Sequence, residues 1–425
     1  MKLILISHKP CWQHASSATG FATNGGFPFQ VQALSQLFDE TKLLLPFEAD
    51  PSRAGEIPLG GHRLSVVPLA SLPGKNIIRK LRVPLWLLRN LPAFLREVWA
   101  ADAIHAPIPG DVGSIGILLA LALHKPLFVR HCGNWLAPKT IAEKVWRWGM
   151  ETFAGGRNVM LATGGALDSP SLRNPAVKWI FSTSLAEAEL AACAVKRAAP
   201  PRDQVRLIIV CRQEKAKGTW MVLAALPLLR RDFPGLAIDV VGDGSALPEL
   251  REQVAKLRLA DQVRFHGNVD HGEVLRLLKQ AHLFCFPTRS SDGFPKAVLE
   301  GLACGLPAVT TRVSVLPLLL SSGCGRLVEE ATPEAIAVAI RYCLEDPARY
   351  EQLSIRAVET ARQYSLEHWR DTIGAHLSAA WGPLRVSDTS PVVSSPVVSG
   401  PVVRASQPRS PVVIPSPVGW ERDQG

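Results

Sequence analysis

Residues 286–307 read FPTRSSDGFPKAVLEGLACGLP, which contains a strand end, a loop and a helix in close succession. The apolar run Leu283–Phe286 predicts a buried strand, and a polar loop with one glycine follows it. Pro295 stands where the first residue of a helix would lie, because its fixed φ and missing N–H group suit that position. The pattern therefore predicts a helix from Pro295 to Cys304, closed by Gly305 and the proline two residues later.

The start of this predicted helix can bind an anion. Its first N–H groups have no partner inside the helix, and the positive end of the helix dipole points into the preceding loop. Glu300 lies about one and a half turns further on, within reach of a hydroxyl group at the helix mouth. These residues alone leave an alternative open: Glu300 would be a surface residue and the glycines mere turn formers.

Short apolar runs alternate with helical patterns along most of the chain. Such alternation predicts doubly wound α/β domains, and the length before residue 383 is too great for one sheet. A polar, proline-containing stretch at 196–202 places the boundary between two domains near 184–204. The predicted buried strands include 2–6, 42–45, 127–130, 179–181, 207–211, 237–241, 263–265 and 283–286.

The composition limits the class of protein. The chain has 425 residues, 47% hydrophobic and 20% charged, with a net charge of +10 that favours an anionic partner: nucleic acid, a phosphorylated metabolite or an anionic membrane. No apolar run is long enough to span a bilayer, and residues 1–7 read as a first strand rather than a signal peptide. Eight scattered cysteines without a C-x-x-C pair indicate neither disulfides nor zinc, which suggests a cytoplasmic protein.

The last part of the chain, residues 383–425, differs in composition from the rest. It holds 8 of the 34 prolines and repeats Pro-Val-Val at 391–393, 396–398, 401–403 and 411–413. Each proline removes a backbone donor, so we expect a disordered tail without a packed core. A proline-rich docking ligand is the alternative.

The segment from Asp292 to Glu300 resembles a known signature. The two carboxylates are separated by seven residues, and Gly293-Phe294-Pro295 together with 305–307 resemble the E-x7-E region of family-four retaining glycosyltransferases of the GT-B fold (the glycosyl transferase group 1 type). The resemblance implies that Glu300 binds the nucleotide ribose. It also implies that Asp292 and the backbone amides after it, with Phe294, Pro295 and Lys296, hold the donor sugar. Asp292 departs from the usual glutamate and is one methylene shorter.

Further motifs follow in the family's order. Residues 210–218 resemble its GRxxxxKG loop, which implies that Arg212 and Lys217 clamp the donor diphosphate. Two cations near a helix start can neutralise a leaving diphosphate, and the chain has no D-x-D sequence, so we expect no metal and no other cofactor. Gly242 and Gly244 resemble the GxG turn, and 265–267 an FxG segment near the base. No full G-x-G-x-x-G follows strand one, which disfavours a nicotinamide cofactor.

Two segments of the first part also match in order. Gly25 and Gly26 precede a helical pattern at 30–37 and resemble the family's glycine loop, with a flexible turn as the alternative. His131 follows the predicted strand 127–130 and resembles the histidine near the reacting sugar. Another register would place Cys132 there, and a buried structural histidine is the alternative.

Residues 75–100 carry six cations against one acid, Glu97. Arg82, Arg89 and Arg96 recur every seven residues and share a helix face, beside an apolar stripe of leucines that ends at Trp99. Pro84 and Pro92 predict that the segment breaks into short helices. The pattern suits docking on an anionic membrane; the alternative places the apolar side in the core and the arginines in solvent.

The resemblance implies four parts: an acceptor-side Rossmann-like domain (1–183), a nucleotide-sugar donor domain (184–365) facing it across a cleft, a helix crossing back (366–382) and the disordered tail (383–425). It implies a retaining glycosyltransferase that moves a hexosyl group from a nucleotide-diphosphate sugar to a glycan or lipid-linked acceptor. No nucleic-acid partner is expected. We expect it in the cytoplasm, at the inner face of the cell membrane if the basic segment docks there. The alternatives are a nucleotide-sugar epimerase, and a non-catalytic nucleotide-sugar-binding or membrane-docking protein of the same fold.

Overall fold

A computed structural model describes residues 1–49, 56–71, 76–136, 138, 140–166, 168–290 and 294–384, without the side chains of 76–81. Asp292, Gly293 and the tail beyond Leu384 therefore lie outside the described residues.

The amino-terminal half is built around a parallel sheet of seven strands, counted within the described residues, in the order β10-β9-β8-β7-β1-β4-β6. Near-continuous apolar runs such as that of β1 allow burial on both faces of this sheet. The short strands β2, β3 and β5 form a separate antiparallel sheet. The strands are β1 (Lys2–Ile6), β2 (Trp12–Gln13), β3 (Phe21–Asn24), β4 (Glu40–Pro46), β5 (Glu56–Pro58), β6 (Leu64–Leu69), β7 (Ala103–Ile108), β8 (Leu127–His131), β9 (Asn158–Thr163) and β10 (Lys178–Ile180).

The carboxyl-terminal half has its own parallel sheet, in the order β13-β12-β11-β14-β15-β16 among the described strands. In both sheets the first strand of the half has neighbours on both sides, and the chain winds outward in two directions. The predicted pair of doubly wound sheets is thus confirmed. The strands are β11 (Arg206–Val210), β12 (Ala237–Val241), β13 (Val263–Gly267), β14 (Leu283–Phe286), β15 (Ala308–Thr311) and β16 (Gly325–Val328).

Helices cover both faces of each sheet. In the first half, α2, α3 and α4 pack on one face and α1 packs on the other. None of the described helices is long and apolar enough to cross a membrane. The helices are α1 (Phe27–Ser35), α2 (Asn76–Ala100), α3 (Asp111–Ala122), α4 (Ile141–Phe153), α5 (Glu187–Cys193), α6 (Thr219–Leu229), α7 (Leu247–Lys256), α8 (His271–Gln280), α9 (Lys296–Ala303), α10 (Leu316–Leu319), α11 (Pro333–Leu344), α12 (Pro347–Arg362) and α13 (Leu366–Trp381).

Helix α13 follows the second domain in sequence but packs on the first. Its buried residues Trp369, Ile373 and Leu377 join the core on the α1 face of the first sheet. Ser365 caps its start by accepting a hydrogen bond from the N–H of His368. The chain therefore crosses between the domains twice, once before α5 and once before α13.

The prediction that prolines break residues 75–100 into short helices is wrong. Helix α2 runs without interruption through Pro84 and Pro92. Its inner face is held by the buried side chains of Trp86 and Phe94 and by Asn90, whose Oδ1 accepts a hydrogen bond from the backbone N–H of Ala70 at 2.8 Å. Because this face is anchored to the core, packing outweighs the loss of one backbone hydrogen bond at each proline.

Candidate active site

Two loops at the carboxyl edge of the second sheet touch each other through glycines. Gly242 has φ +108°, and a Cβ atom there would lie 2.0 Å from the carbonyl oxygen of Cys211. A Cβ at Gly244 would lie 2.4 Å from the carbonyl oxygen of Gln213. Both positions therefore require glycine so that the loop after β12 can pack on the loop after β11.

Gln213 locks the same two loops together, and the sequence analysis did not single it out. Its side chain is fully buried. The amide Nε2 donates to the carbonyls of Cys211 at 3.0 Å and Val241 at 2.9 Å, and Oε1 accepts from the hydroxyl of Thr219 at 2.8 Å. A buried side-chain amide whose hydrogen bonds are satisfied favours a single conformation of the loops that it joins. The signal in the sequence that could have indicated this role is the position of a polar residue between Arg212 and Lys217.

The two predicted diphosphate-binding cations differ in their surroundings. Lys217 is 2% exposed, with its Nζ 3.4 Å from the hydroxyl of Ser290 and 6.0 Å from the ring centroid of Phe286. Arg212 is 72% exposed and forms an ion pair with Glu214 at 2.9 Å. Lys217 is thus held in place by the loop after β14, whereas Arg212 is a solvated residue that can turn toward a ligand.

Helix α9 begins one residue later than predicted. Pro295 is the N-cap, with ψ 91°, and the helix proper runs Lys296–Ala303. The preceding Phe294 is buried at 7% exposure, so the loop before the helix is anchored from within the core. Gly305 has φ +72° and ends the helix, as predicted for a glycine in that position.

Glu300 has a partner that the sequence analysis missed. Its carboxylate is 13% exposed, and Oε1 lies 3.2 Å from Nε2 of His271, the first residue of α8. The hydrogen bond to Glu300 raises the pKa of His271, against the lowering effect of burial. His271 and Glu300 are far apart in sequence, and only the packing of α8 beside α9 brings them together.

Gly26 and Lys296 meet across the two domains. Gly26 is the N-cap of α1, and a Cβ atom there would lie 2.6 Å from Nζ of Lys296. That ammonium donates to the hydroxyl of Ser184 at 3.2 Å. Gly25, which precedes it, has φ +73° and is exposed. The predicted glycine loop of the first domain thus lies directly against the predicted donor helix of the second.

His131 ends β8 beneath the surface. It is 1% exposed, its Nδ1 has no hydrogen-bond partner among the described residues, and its ring meets Trp135 edge-on at 5.4 Å. Burial is the main cause that lowers the pKa of His131, so the imidazole is neutral at neutral pH. Cys132, the alternative register, is exposed.

An aromatic cluster joins the two segments that cross between the domains to the loop before α9, here called the donor loop. Phe181 follows β10 and lies 6.2 Å from Phe294, 5.0 Å from Tyr364 and 5.7 Å from His368, measured between ring centroids. Phe181 and Tyr364 belong to the two crossing segments, and Phe294 precedes α9.

No group of three or more His, Cys, Asp or Glu side chains within the described ranges is arranged to hold a metal ion.

Residues 195–360 match the family model described as "Glycosyl transferases group 1". Relatives include glycogen synthase of Mycobacterium tuberculosis, 33% identical over 165 residues (39% of each chain). Another is the GDP-mannose-dependent alpha-(1-6)-phosphatidylinositol monomannoside mannosyltransferase of Mycolicibacterium smegmatis, 31% identical over 41% of this chain and 47% of that protein. The chain thus spans less than half of the length of either relative.

Among solved structures, Anabaena Alr3699/HepE in complex with UDP aligns over 89% of this chain and 100% of its own, with a TM-score of 0.64 and 18% identity. At 89% of the chain, this likeness includes most of both domains, whereas the family model matches part of the second domain only. The carboxyl-terminal domain of this chain therefore matches the glycosyl transferases group 1 family model, and the two domains together form a GT-B fold.

Proposed function

We propose that this protein is a retaining glycosyltransferase that moves a hexosyl group from a nucleotide-diphosphate sugar to a hydroxyl of a glycan or lipid-linked acceptor. One observation carries the proposal. Within the domain that matches the group 1 model, the motif loops converge at the carboxyl edge of the sheet, and Gly26 of the other domain packs on Lys296 there. A ligand at this edge would be enclosed by both domains.

Each part of the donor has a candidate partner. Lys217, Arg212 and the N–H groups at the start of α9 would hold the diphosphate. Glu300 would accept hydrogen bonds from the ribose hydroxyls. Asp292, which lies outside the described residues, would hold the sugar hydroxyls.

The reaction is proposed to need no metal. Negative charge builds on the diphosphate as the bond to the sugar breaks, and two cations with an aligned helix start stabilise that charge. The departing phosphate oxygen would assist removal of the acceptor proton, and the product would keep the anomeric configuration. Transfer should therefore persist in excess chelator, and an absolute requirement for magnesium or manganese would contradict this site.

The activity is tested in two steps. UDP-, GDP- and ADP-sugars are first screened for thermal stabilisation of the full chain, and the sugars that bind are assayed for release of the nucleotide diphosphate. Proton NMR of the product then reports the anomeric configuration. Binding without turnover, with any pool of acceptors, would favour a non-catalytic protein, and interconversion of the donor itself would favour an epimerase.

An anionic membrane surface is the proposed location. Of the 14 exposed large apolar side chains in the described residues, 11 lie on α2, α3 and α4, which cover one face of the first sheet, or in the loops beside α4. The predicted stripe on α2 is among them: Leu85, Leu88, Leu95 and Trp99 are 44–73% exposed, not buried in the core. Such a concentration on one layer is unusual for a surface that faces only water.

Positive charge accompanies this apolar helix layer. Arg82, Arg89 and Arg96 are exposed on α2, and a surface hollow of about 430 Å³ beside α4 is lined by Lys144 and Arg147 together with Trp148. Apolar side chains and flanking cations suit the interface of an anionic bilayer. The mannosyltransferase relative, whose name includes phosphatidylinositol monomannoside, supports a lipid-linked acceptor.

Vesicle sedimentation tests this location. At low salt the wild type should sediment with phosphatidylglycerol vesicles. Replacing Leu88 and Trp99 with serine, or the three arginines of α2 with glutamine, should reduce sedimentation and leave donor binding unchanged. Val338→Ser, which alters a 61% exposed residue of α11 in the other domain, is the matched control. A wild type that ignores such vesicles would end the membrane proposal.

A further inference from the structure

Arg130 is a deeply buried cation, and part of its guanidinium lacks hydrogen-bond partners among the described residues. It is the fourth residue of β8 and is 6% exposed. Its Nε and Nη1 atoms have no hydrogen-bond partner in the described part of the chain, and its Cζ lies 5.1 Å from the ring centroid of Trp369. A buried guanidinium with unsatisfied N–H groups is costly, and a cation–π contact offsets only part of that cost.

A second unsatisfied donor lies beside the first. Trp369 is 1% exposed, and its indole Nε1–H is also without a partner among the described residues. One oxyanion can accept hydrogen bonds from several N–H groups at once and neutralise the guanidinium, whereas a water molecule provides no charge. The three orphaned N–H donors therefore favour an anion as the missing partner.

This pair lies at the junction of the domains, next to the proposed donor site. Arg130 is one residue from the carboxyl end of β8, and Trp369 is in the first turns of α13. His368, which precedes Trp369, stacks on Phe181, and Phe181 contacts Phe294 in the donor loop. The path from Arg130 to the start of α9 is thus a short series of packed rings.

The charge of Arg130 also affects the pKa of Lys296 at the start of α9. Burial lowers the pKa of Lys296, the carboxylate of Glu300 opposes this effect, and the guanidinium of Arg130 adds to the lowering. His105 senses the same charge: burial and then Arg130 lower its pKa to about 3. None of the described carboxylates forms an ion pair with Arg130.

We propose that Arg130 and Trp369 bind a carboxylate or phosphoryl group carried by the substrate. This inference rests on the proposed function and makes it more specific: the enzyme handles a negatively charged sugar. The anionic group belongs either to the transferred sugar, as in a uronic acid donor, or to the acceptor, as in a phosphorylated glycan. Both present the same oxygens to the same two side chains.

The donor arm of the test compares matched charged and neutral sugars on the full chain. Calorimetry measures the affinity for UDP-glucose and UDP-glucuronate, and for GDP-mannose and GDP-mannuronate. If the anion is on the donor, the wild type binds the uronate at least about ten-fold more tightly than its neutral counterpart. Arg130→Gln removes this preference and changes affinity for the free nucleotide diphosphate less than two-fold. Arg157→Gln, which alters an exposed arginine of the same domain, retains the preference.

The acceptor arm uses glucose 6-phosphate with glucose as the neutral control. Both are added to the protein with and without nucleotide diphosphate, and the melting temperature is measured. If the anion is on the acceptor, glucose 6-phosphate stabilises the wild type more than glucose does, and Arg130→Gln abolishes the difference. This arm reports on Arg130 even if no nucleotide binds, so failure of the proposed function is seen separately.

Three results would overturn the inference. The first is a wild type that distinguishes charged from neutral sugars in neither arm. The second is an Arg130→Gln variant that loses affinity for the nucleotide diphosphate itself, which would assign Arg130 to the diphosphate. The third is a lower melting temperature with an unchanged charge preference, which would make Arg130 a structural partner of Trp369. If Arg130→Gln does not fold, Trp369→Phe removes one donor, keeps the aromatic packing and should weaken the charge preference.

Discussion

Replacing Glu300 with glutamine removes one charge from α9 and leaves the shape of the side chain unchanged. A hydrogen bond to a charged group contributes about 1.5–3 kcal/mol, and one to a neutral amide about 0.5–1.5 kcal/mol. The difference of about 1–1.5 kcal/mol predicts about five- to fifteen-fold weaker binding of the nucleotide diphosphate. Glu300→Ala removes the acceptor altogether and should weaken binding about ten- to hundred-fold.

The loss should appear in binding and hardly at all in stability. Among the described residues, the Glu300 carboxylate pairs with His271, whose side chain is 54% exposed, and an ion pair so exposed contributes about 0–1 kcal/mol. Calorimetric titration with the nucleotide diphosphate gives the affinity, and thermal unfolding checks that each variant is folded. Glu252→Gln is the matched control, because this glutamate on α7 is exposed and pairs with Lys256 of the same helix.

The graded order of the three proteins is what the reasoning requires. Wild type should bind most tightly, then Glu300→Gln, then Glu300→Ala. If Glu300→Gln binds within two-fold of the wild type while remaining folded, the carboxylate does not contact the nucleotide. If both variants bind normally but lose turnover, Glu300 acts on the sugar and the assignment of the two carboxylates is reversed.

Further predictions concern the frame of the site. Gly242→Ala combines a φ of +108° with a Cβ 2.0 Å from the carbonyl of Cys211, and should destabilise the protein by about 3 kcal/mol or more in urea unfolding. Gly267→Ala, with φ +65° and open space around it, should cost only about 1 kcal/mol; equal losses would show that contact is irrelevant. Gly26→Ala, with an ordinary φ, should lower donor turnover but not stability, because its Cβ displaces Lys296, whereas Gly60→Ala, in open space, should change neither. The pKa of His271 is raised in the folded state, so its contribution to stability is present below its ordinary pKa and is lost as pH rises through the raised value. His271→Gln should therefore lower the melting temperature more near pH 6 than near pH 8.5. A difference that does not change with pH would contradict the His271–Glu300 pair. Truncation after Leu384 should leave the melting temperature unchanged, since Trp381 still donates to the carbonyl of Arg157, and a loss of several degrees would show that the tail packs.

Local pattern was sufficient to predict two doubly wound domains and helix α9, although the named strand predictions do not include β6, β7, β9, β15 and β16. Strands such as β14, Leu283–Phe286, are continuous apolar runs because both faces of a parallel sheet are buried. The helix after it follows from proline, glycine and their spacing, which act within one or two turns. The start of α9 was placed one residue early, because proline is compatible with the N-cap as well as with the first helical turn.

Features that depend on contacts between distant segments are predicted less well from the sequence. The two prolines of α2 were expected to interrupt it, yet the anchored face of Trp86, Asn90 and Phe94 keeps the helix continuous. The periodicity of the leucines on α2 showed that they share a side, but it could not show whether that side faces the core or solvent. Only the packing of the layer decides this, and it leaves Leu85, Leu88 and Trp99 outside.

The sequence by itself determined the order of the motifs and the two doubly wound domains, because strand burial, helix caps and glycine turns are local properties that each segment carries with it. The tertiary structure decided which side chains meet. His271 reaches Glu300, Gly26 packs on Lys296, and Arg130 stacks on Trp369 without a hydrogen-bond partner for its Nε and Nη1 in the described chain. These contacts join residues that are 29 to 270 positions apart, and no local periodicity encodes a distance between segments that only the packing of separate elements brings together.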